Sequence, residues 1–529
     1  MGRPVSDPRA TALETVDRRM PELSALTAEI FALAEPAWRE YRSAARYVEL
    51  LRAEGFDVAV CTGGMPTAFM ARFGSGSPMV ATYVEYDAVP GNSQAAVPYE
   101  APREGTSRHA AGHTDPHSAL GSGALGGALA AKAAIERHRL SGTLVVFGEP
   151  AEKVQGSKPI HAAKGYYDDL DAAVSFHPAY MAPKTNTVSW DTHCGAWASC
   201  VYTFEPDRPE LWNARPGAAG IPQAHAGVRA PGAIDAVTLM YSVSKQLREH
   251  ALPHSGSWSI NEAILVAGQA TADNLPPDIA QIQYSWRVPT LEMADRVAEA
   301  LERNATHVAA ITGCRVARRW VSRSRPGLPN HALSRATYAN LVAAGPPIWG
   351  DEARSFANAI RASLGREPLD EPLDASMAAL IAPEDAEAIV RRNLPAWQLN
   401  FTSDDYVEYT WHCPTARLYV GRCGLAAESV GPAPAWVSNA IGGFSACIDP
   451  TVRCAARTVG LTLVDLLTDG DLRAAARAEF VERTGGGIGG SRWVAPLLPR
   501  DFEPPIDLRW PEYVDTPRGR GWWIPSSSL

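Results

Sequence analysis

Between residues 11 and 55 the apolar positions recur every three or four residues, as in Leu23, Leu26, Ile30 and Leu33 and again in Ala45, Val48 and Leu51, which predicts two amphipathic helices. The pattern changes at Gly55-Phe56-Asp57-Val58. Short apolar runs follow, FDVAVC, TAFMARF and MVATYVEYD, punctuated by glycine and proline, and these predict strands. The last run is nearly continuous and reads as a buried central strand. It ends in Glu85-Tyr86-Asp87-Ala88-Val89-Pro90-Gly91, placing carboxylates where a strand gives way to a turn. In open α/β sheets that edge is where sites are built. A polar loop leads to the small-residue helix SALGSGALGGALAAKAAIERH, the strand GTLVVFG and the strand-ending segment DDLDAAVSFHP. Strand and helix alternate, which predicts an α/β sheet with helices on both faces.

Around residue 196 the pattern becomes AWASCVYTFE, a Gly/Pro/Ala-rich loop, helix GAIDAVTLMYSVSKQLREHAL, strands SWSINEAILVAG and AQIQYSWRV, helix TLEMADRVAEALERNATHVAA, and strand CRVARRWVSR. This β-α-β-β-α-β order predicts a small antiparallel sheet backed by two helices. The chain afterwards returns to helix-rich sequence and the strand-like TARLYVGR, so the unit reads as an insertion. The expected division is a main domain over 1–195 and 323–480, an inserted α+β domain over 196–322, and a loosely packed tail over 481–529, where GGGIGG and PRGRGWWIPSSSL fall.

A chain of 529 residues exceeds one ordinary domain, and 46% hydrophobic with 20% charged residues is a globular composition. Acidic side chains outnumber basic ones, 58 to 49, for a formal charge of -9, and no long basic run occurs, which disfavours nucleic acid or an anionic membrane as partner. Eight scattered cysteines without a CxxC pair suit a reducing compartment. A polar, charged start and the lack of a long apolar span complete the expectation of a soluble, cytoplasmic protein.

Two stretches match G-x-G-x-x-G, at Gly121, Gly123, Gly126 and at Gly485, Gly487, Gly490. Neither follows a predicted strand, so the dinucleotide reading fails and close packing or a turn replaces it. His113-Thr114-Asp115-Pro116-His117-Ser118 is richer, with two imidazoles and a carboxylate just ahead of a helix. That is a metal-cradle composition. Asp followed by Pro is equally an N-cap signature, in which Asp115 would accept backbone N–H groups. Strand VVFG ends in Glu149-Pro150-Ala151-Glu152-Lys153 and strand AAVSF in His177-Pro178. Three ligand-bearing clusters thus follow successive elements of one sheet.

With these residues the chain resembles the M20 metallopeptidases and amidohydrolases, most closely the branch containing aminobenzoyl-glutamate hydrolase, with amino-acid-conjugate hydrolases and aminoacylases as broader relatives. The resemblance rests on PTAFMARFGSGSP, EYDAVPG, GEPAEK, SFHP, AHAGVRAPGAIDAV, Asn274-Leu275-Pro276-Pro277 followed by YSWRV, and Ser403-Asp404-Asp405-Tyr406-Val407-Glu408-Tyr409-Thr410-Trp411. It implies a zinc-peptidase-like α/β catalytic domain interrupted by a lid used for dimerisation, a homodimer, and one or two divalent ions, Zn or Mn. Where the family writes Cys-Gly-His, this chain has Asp115 and His117, which the resemblance makes metal ligands, together with His177. Aspartate is a harder anion that still binds such ions. Glu152 matches the family's general base. Lys153 stands at a ligand glutamate and cannot coordinate while protonated, and Pro434 stands at a ligand histidine. Candidates for the vacated positions are Glu149, His113, His193 and His412. Asp115, His117 and His177 with a water would still form a one-ion catalytic site. Lys153 is expected to bind a substrate carboxylate or an acidic neighbour such as Glu149. His225, in QAHAG, matches a lid histidine that contacts the substrate carbonyl across the dimer interface.

The function expected from the resemblance is metal-dependent hydrolysis of an amide C–N bond in a small N-acyl amino acid, aromatic acyl groups included, or a related amide, with Glu152 relaying the proton of water. The lost ligands leave two other readings: a non-catalytic member that binds a small molecule or partner, and an aminohydrolase acting on an aromatic amine.

Overall fold

The computed structural model describes residues 7–179, 183–207, 232–250, 252–268, 277–427 and 432–523. The first amphipathic stretch forms α1 (Pro8–Leu33), whose N-cap Asp7 accepts the Arg9 N–H and whose first turn begins on proline. Its stripe Leu23, Leu26 and Ile30 is buried. The second forms α2 (Tyr41–Ala53). Then come β1 (Asp57–Val60), β2 (Phe69–Ser75), β3 (Met79–Val84), α3 (His117–His138), β4 (Gly142–Gly148), α4 (Ser157–Ala163), β5 (Ala172–Pro178) and the short β6 (Thr187–Val188).

Here the chain leaves the first sheet. It builds β7 (Ala196–Pro206), α5 (Ala233–Lys245), β8 (Ser259–Ala267), β9 (Ala280–Val288), α6 (Leu291–Thr312) and β10 (Cys314–Ser324). The four strands form an antiparallel sheet in the order β10-β7-β9-β8. Its core packs Tyr202, Phe204, Ile282 and Trp286 against Val237 and Met240 of α5 and Val297, Leu301 and Val308 of α6. The chain then returns with α7 (His331–Ala344), adds β11 (Thr415–Val420) between β5 and β6, and closes the layer with α8 (Ser445–Thr468). The seven-stranded order is β1-β2-β4-β3-β5-β11-β6, with β4, β3, β5 and β11 parallel and the flanking pairs antiparallel. A mixed α/β core with a separate antiparallel lid is therefore the architecture. Among the described residues no helix is long and apolar enough to cross a membrane.

The first glycine triplet is a packing device, as its position in α3 requires. A Cβ on Gly126 would lie 2.8 Å from the Cβ of Ala456 of α8, one on the adjacent Gly127 would lie 2.6 Å from Val459, and one on Gly121 would lie 2.7 Å from the carbonyl oxygen of Glu85 at the end of β3. Helix α3 therefore touches both α8 and the edge of the central strand, which brings His117, its first residue, against Glu85 and Asp87.

The end of the chain differs from the loosely packed tail expected from its composition. Helix Gly470–Thr484 runs past residue 480. Beyond it, Leu498, Leu508 and Trp510 are buried in a cluster with Trp38, Met65 and Ile160 of the core and Val201 and Val321 of the lid. A hairpin of β12 (Tyr513–Thr516) and β13 (Gly519–Trp522) follows. Glycine and proline removed regular structure from this segment without removing its apolar anchors.

Replacing Gly127 by valine should cost about 3 kcal/mol through overpacking against α8. Urea denaturation would register it, and an unchanged midpoint would show that α3 and α8 have room to part.

Candidate metal centre

The parallel strands β3, β4, β5 and β11 end on one side of the sheet, and the chain leaving each delivers charge to that rim. β3 delivers Glu85 and Asp87, β4 delivers Glu152 and Lys153, β5 carries His177, and β11 leads to Arg422. His117 arrives from the first turn of α3. The centre thus occupies the carboxyl edge of an α/β sheet.

Two buried imidazoles are oriented from behind. His117 Nδ1 lies 2.7 Å from Asp87 Oδ1, so that nitrogen donates to the carboxylate and Nε2 faces the rim. His177 Nδ1 donates to the Pro178 carbonyl oxygen at 2.7 Å, which turns its Nε2 the same way. His117 Nε2 is 3.2 Å from Glu85 Oε2, 3.5 Å from Glu152 Oε2 and 3.7 Å from Asp115 Oδ2. His177 Nε2 is 3.5 Å from Asp115 Oδ1. The structure thus places Asp115, His117, His177 and Glu152 at one spot. Asp115 does not cap α3: Pro116 occupies the N-cap and no side chain accepts there.

Two lysines enter the same rim. Lys153 Nζ lies 2.7 Å from Asp115 Oδ2, 2.9 Å from Glu152 Oε2 and 2.8 Å from His117 Nε2. Its acidic partners are therefore Asp115 and Glu152, not Glu149. Its own backbone N–H donates to Asp87 Oδ2 at 2.8 Å, so Asp87 holds both His117 and this turn. Lys158 is fully buried and donates to Glu85 Oε1 at 2.6 Å and Asp405 Oδ1 at 2.7 Å.

These pairings set the charges. Burial opposes ionisation of Glu152, but Lys153 and His117 outweigh it and hold the carboxyl down to about 2. Asp115 is held well below the usual carboxylate range, against burial, by Lys153 and His177. Burial would likewise neutralise Lys153, but Asp115 and Glu152 keep it firmly protonated. For His117, burial and Lys153 push down while Glu85 and Asp87 push up to about 9. Two nitrogens 2.8 Å apart have one proton between them, and with Lys153 an ammonium it is Lys153 that donates to His117 Nε2.

None of the four residues considered for the vacated positions reaches the rim. Glu149 accepts from Tyr167 and Tyr409 at 2.6 and 2.9 Å and lies 3.0 Å from His161 Nδ1. His113 bonds the Ile30 carbonyl, His193 the Tyr406 hydroxyl, and His412 lies between Asp168 and Arg325. The residue that does reach it is Glu85. Its place at the end of the central strand was the available signal, whereas Asp87, Lys158 and Asp405 carried none beyond proximity to strand ends and the SDDYVEYT segment. His225 lies outside the described residues.

Ligand atoms of Glu85, His117 and His177 lie within 4.8 Å of one another. Glu85 Oε2 is buried and has no hydrogen-bond partner. A buried, orphaned carboxylate oxygen beside two imidazole Nε2 atoms whose other nitrogens are already engaged fits one divalent ion.

No family model matches the chain. Among individual proteins it is 27% identical over 470 residues to one of the subunits of p-aminobenzoyl-glutamate hydrolase of Escherichia coli (strain K12), covering 86% of this chain and 91% of that protein. It is 24% identical over 323 residues to the Xaa-Arg dipeptidase of Mus musculus, covering 58% and 64%. The crystal structure of a putative aminohydrolase from methicillin-resistant Staphylococcus aureus shares the fold, with a TM-score of 0.50, 15% identity, and coverage of 87% of this chain and 99% of that one. The chain is thus similar to amidohydrolases and peptidases of the M20 kind, hydrolases acting on C–N bonds.

The Glu149 cluster gives an acid-stability prediction. Burial would raise this carboxyl, but His161, Lys158 and Tyr167 hold it at about 2 against an ordinary 4.5. A carboxyl depressed on folding stabilises the fold above its unfolded value, and that contribution fades as pH falls from about 4.5 toward 2. Glu149→Gln should be less stable at neutral pH and flatter across that window. Equal slopes for the two proteins in pH-dependent denaturation would refute the assignment.

Proposed function

We propose that the protein hydrolyses the amide bond of a small N-acyl amino acid, and that Glu152 is its proton relay. The observation that carries this reading is the placement of an ionised, mostly buried carboxylate within 3.5 Å of His117 Nε2, on the rim that also presents Glu85, His177 and Asp115. Glu85, His117 and His177 would hold the ion, with Asp115 alongside. When bound, such an ion polarises a carbonyl and lowers the pKa of water. Glu152 accepts the proton of the attacking water and returns it to the departing nitrogen. The ammonium of Lys153 guarantees that Glu152 is a carboxylate at neutral pH. Asp87 keeps His117 in the tautomer that presents Nε2.

The substrate class follows from charge. Half-buried Arg422 donates to the Thr114 carbonyl at 3.0 Å, beside Asp115, and adds a further cation near Lys153. A substrate carboxylate suits that pair. The Escherichia coli relative is named for p-aminobenzoyl-glutamate, an aromatic acyl group on a dicarboxylic amino acid, and we place the substrate in that class. The eight unpaired cysteines support a cytoplasmic location.

We also read the chain as a homodimer joined through the lid. β8 is an edge strand of the lid sheet and exposes Ile264, 48% accessible, which is the kind of edge that pairs with a second copy. Light scattering should give twice the chain mass, and Ile264→Lys should shift it toward the monomer; a monomeric wild type would reject the dimer.

Glu152→Gln should lower kcat on an N-acyl amino acid by a factor of about 10² to 10⁴, with the protein still folded at the assay temperature by circular dichroism. Turnover near the wild-type rate would remove Glu152 from the mechanism.

A further inference from the structure

Three sets of ligand atoms converge at the rim among the described residues: Glu85, His117 and His177; Asp115, His117 and Glu152; and Glu85, Asp404 and Asp405. They differ in one respect. The second set already surrounds Lys153 Nζ, which lies 2.7 to 2.9 Å from an atom of each member. In the third, Lys158 Nζ bridges Glu85 and Asp405, and Asp404 pairs with Arg417. In the first, Glu85 Oε2 is buried without a hydrogen-bond partner.

We propose that the Lys153 ammonium is a permanent resident cation at the Asp115–Glu152 position, so that the centre holds a single divalent ion, on Glu85, His117 and His177, rather than two. This rests on the metal-dependent reading given above and narrows it. The argument is one of occupancy and charge. A primary ammonium has three N–H donors, and here all three have partners at hydrogen-bond distance. A divalent ion entering the same space would have to displace a buried cation from two carboxylates and leave that cation unpaired, which is strongly unfavourable. An ion in the first set asks far less. It takes the Nε2 lone pair of His117, and the ammonium gives up one of its three contacts while keeping Asp115 and Glu152. The orphaned oxygen of Glu85 gains a partner in the same step.

The arrangement also divides labour differently from a pair of ions. The ammonium is covalently tethered to the backbone of the residue after Glu152, whose N–H donates to Asp87, so this cation neither dissociates nor exchanges. It supplies positive charge beside the proton relay and donors to a substrate oxygen, but it cannot bind hydroxide. The activation of water is left to the one exchangeable position.

The test is metal content. The purified protein is loaded with Mn²⁺ or Zn²⁺, dialysed, and assayed by plasma mass spectrometry, alongside Lys153→Glu and Lys153→Met, with isothermal titration of each. One ion per wild-type chain and two per Lys153→Glu chain is the expected result. Two ions on the wild type would overturn the inference while leaving metal-dependent hydrolysis standing. One ion on both proteins would also overturn it, because the lysine would not be what excludes the second. No ion on any of the three would reject the metal-dependent reading itself. Should Lys153→Glu fail to fold, a crystal of the Mn²⁺-loaded wild type decides: a single anomalous peak near Glu85, His117 and His177 upholds the inference, and a peak between Asp115 and Glu152 refutes it.

Discussion

Crowded negative charge at a buried sheet edge is the constraint on which the rest of this structure depends. Glu85, Asp87, Asp404 and Asp405 are buried there with Asp115 and Glu152 half-buried beside them, and uncompensated carboxylates in the buried part would be protonated or would unfold the rim. Compensation comes from cations of the chain itself, Lys153, Lys158 and Arg417, and from donors such as the Lys153 backbone N–H and His117. The site is therefore an ion-pair network before it is a catalyst. Its geometry is held by the same attractions that define its chemistry.

The scaffold serves this network through close contacts of backbone. Parallel strands β4, β3, β5 and β11 bring four chain segments to one rim, and the small residues of α3 let that helix lie against β3 and α8 so that His117 enters at the correct height. Behind the rim, Glu149 sits among Tyr167, Tyr409 and His161 as a second polar cluster, satisfied within itself and turned away from the site. Two carboxylates three residues apart thus diverge, Glu152 to the surface of the cleft and Glu149 into the wall. The left-handed backbone of Ala151, φ 58°, separates them.

Much of this was legible in the sequence. Periodicity located α1, α2, α3 and the central strands, and the spacing in His113–His117, Glu149–Lys153 and His177–Pro178, together with the resemblance, pointed to Asp115, His117, His177 and Glu152. What stayed hidden depended on reach across the fold. Glu85 and Asp405 are far apart along the chain and meet only because Lys158 lies between them, and nothing local distinguishes that lysine from a surface one. Glu149 resembled a ligand because it ends a strand, but Tyr167 and Tyr409 claim it from elements that spacing cannot see. The C-terminal segment misled for a related reason: Gly/Pro content reports the absence of regular hydrogen bonding, not the absence of burial, and Leu498, Leu508 and Trp510 are sparse but decisive anchors.

That segment has a mechanical consequence. It runs from Trp493, whose indole donates to the Trp411 carbonyl, through the Asp507–Arg319 pair on the lid to the Glu512–Arg39 pair on the core. The two lobes are accordingly lashed together by a strap in addition to the two connections that enter and leave the lid. Any swing of the lid must either carry the strap with it or peel Leu508 and Trp510 from their seat. The placement of lid against core is thus secured in part from a segment remote in sequence from the rim.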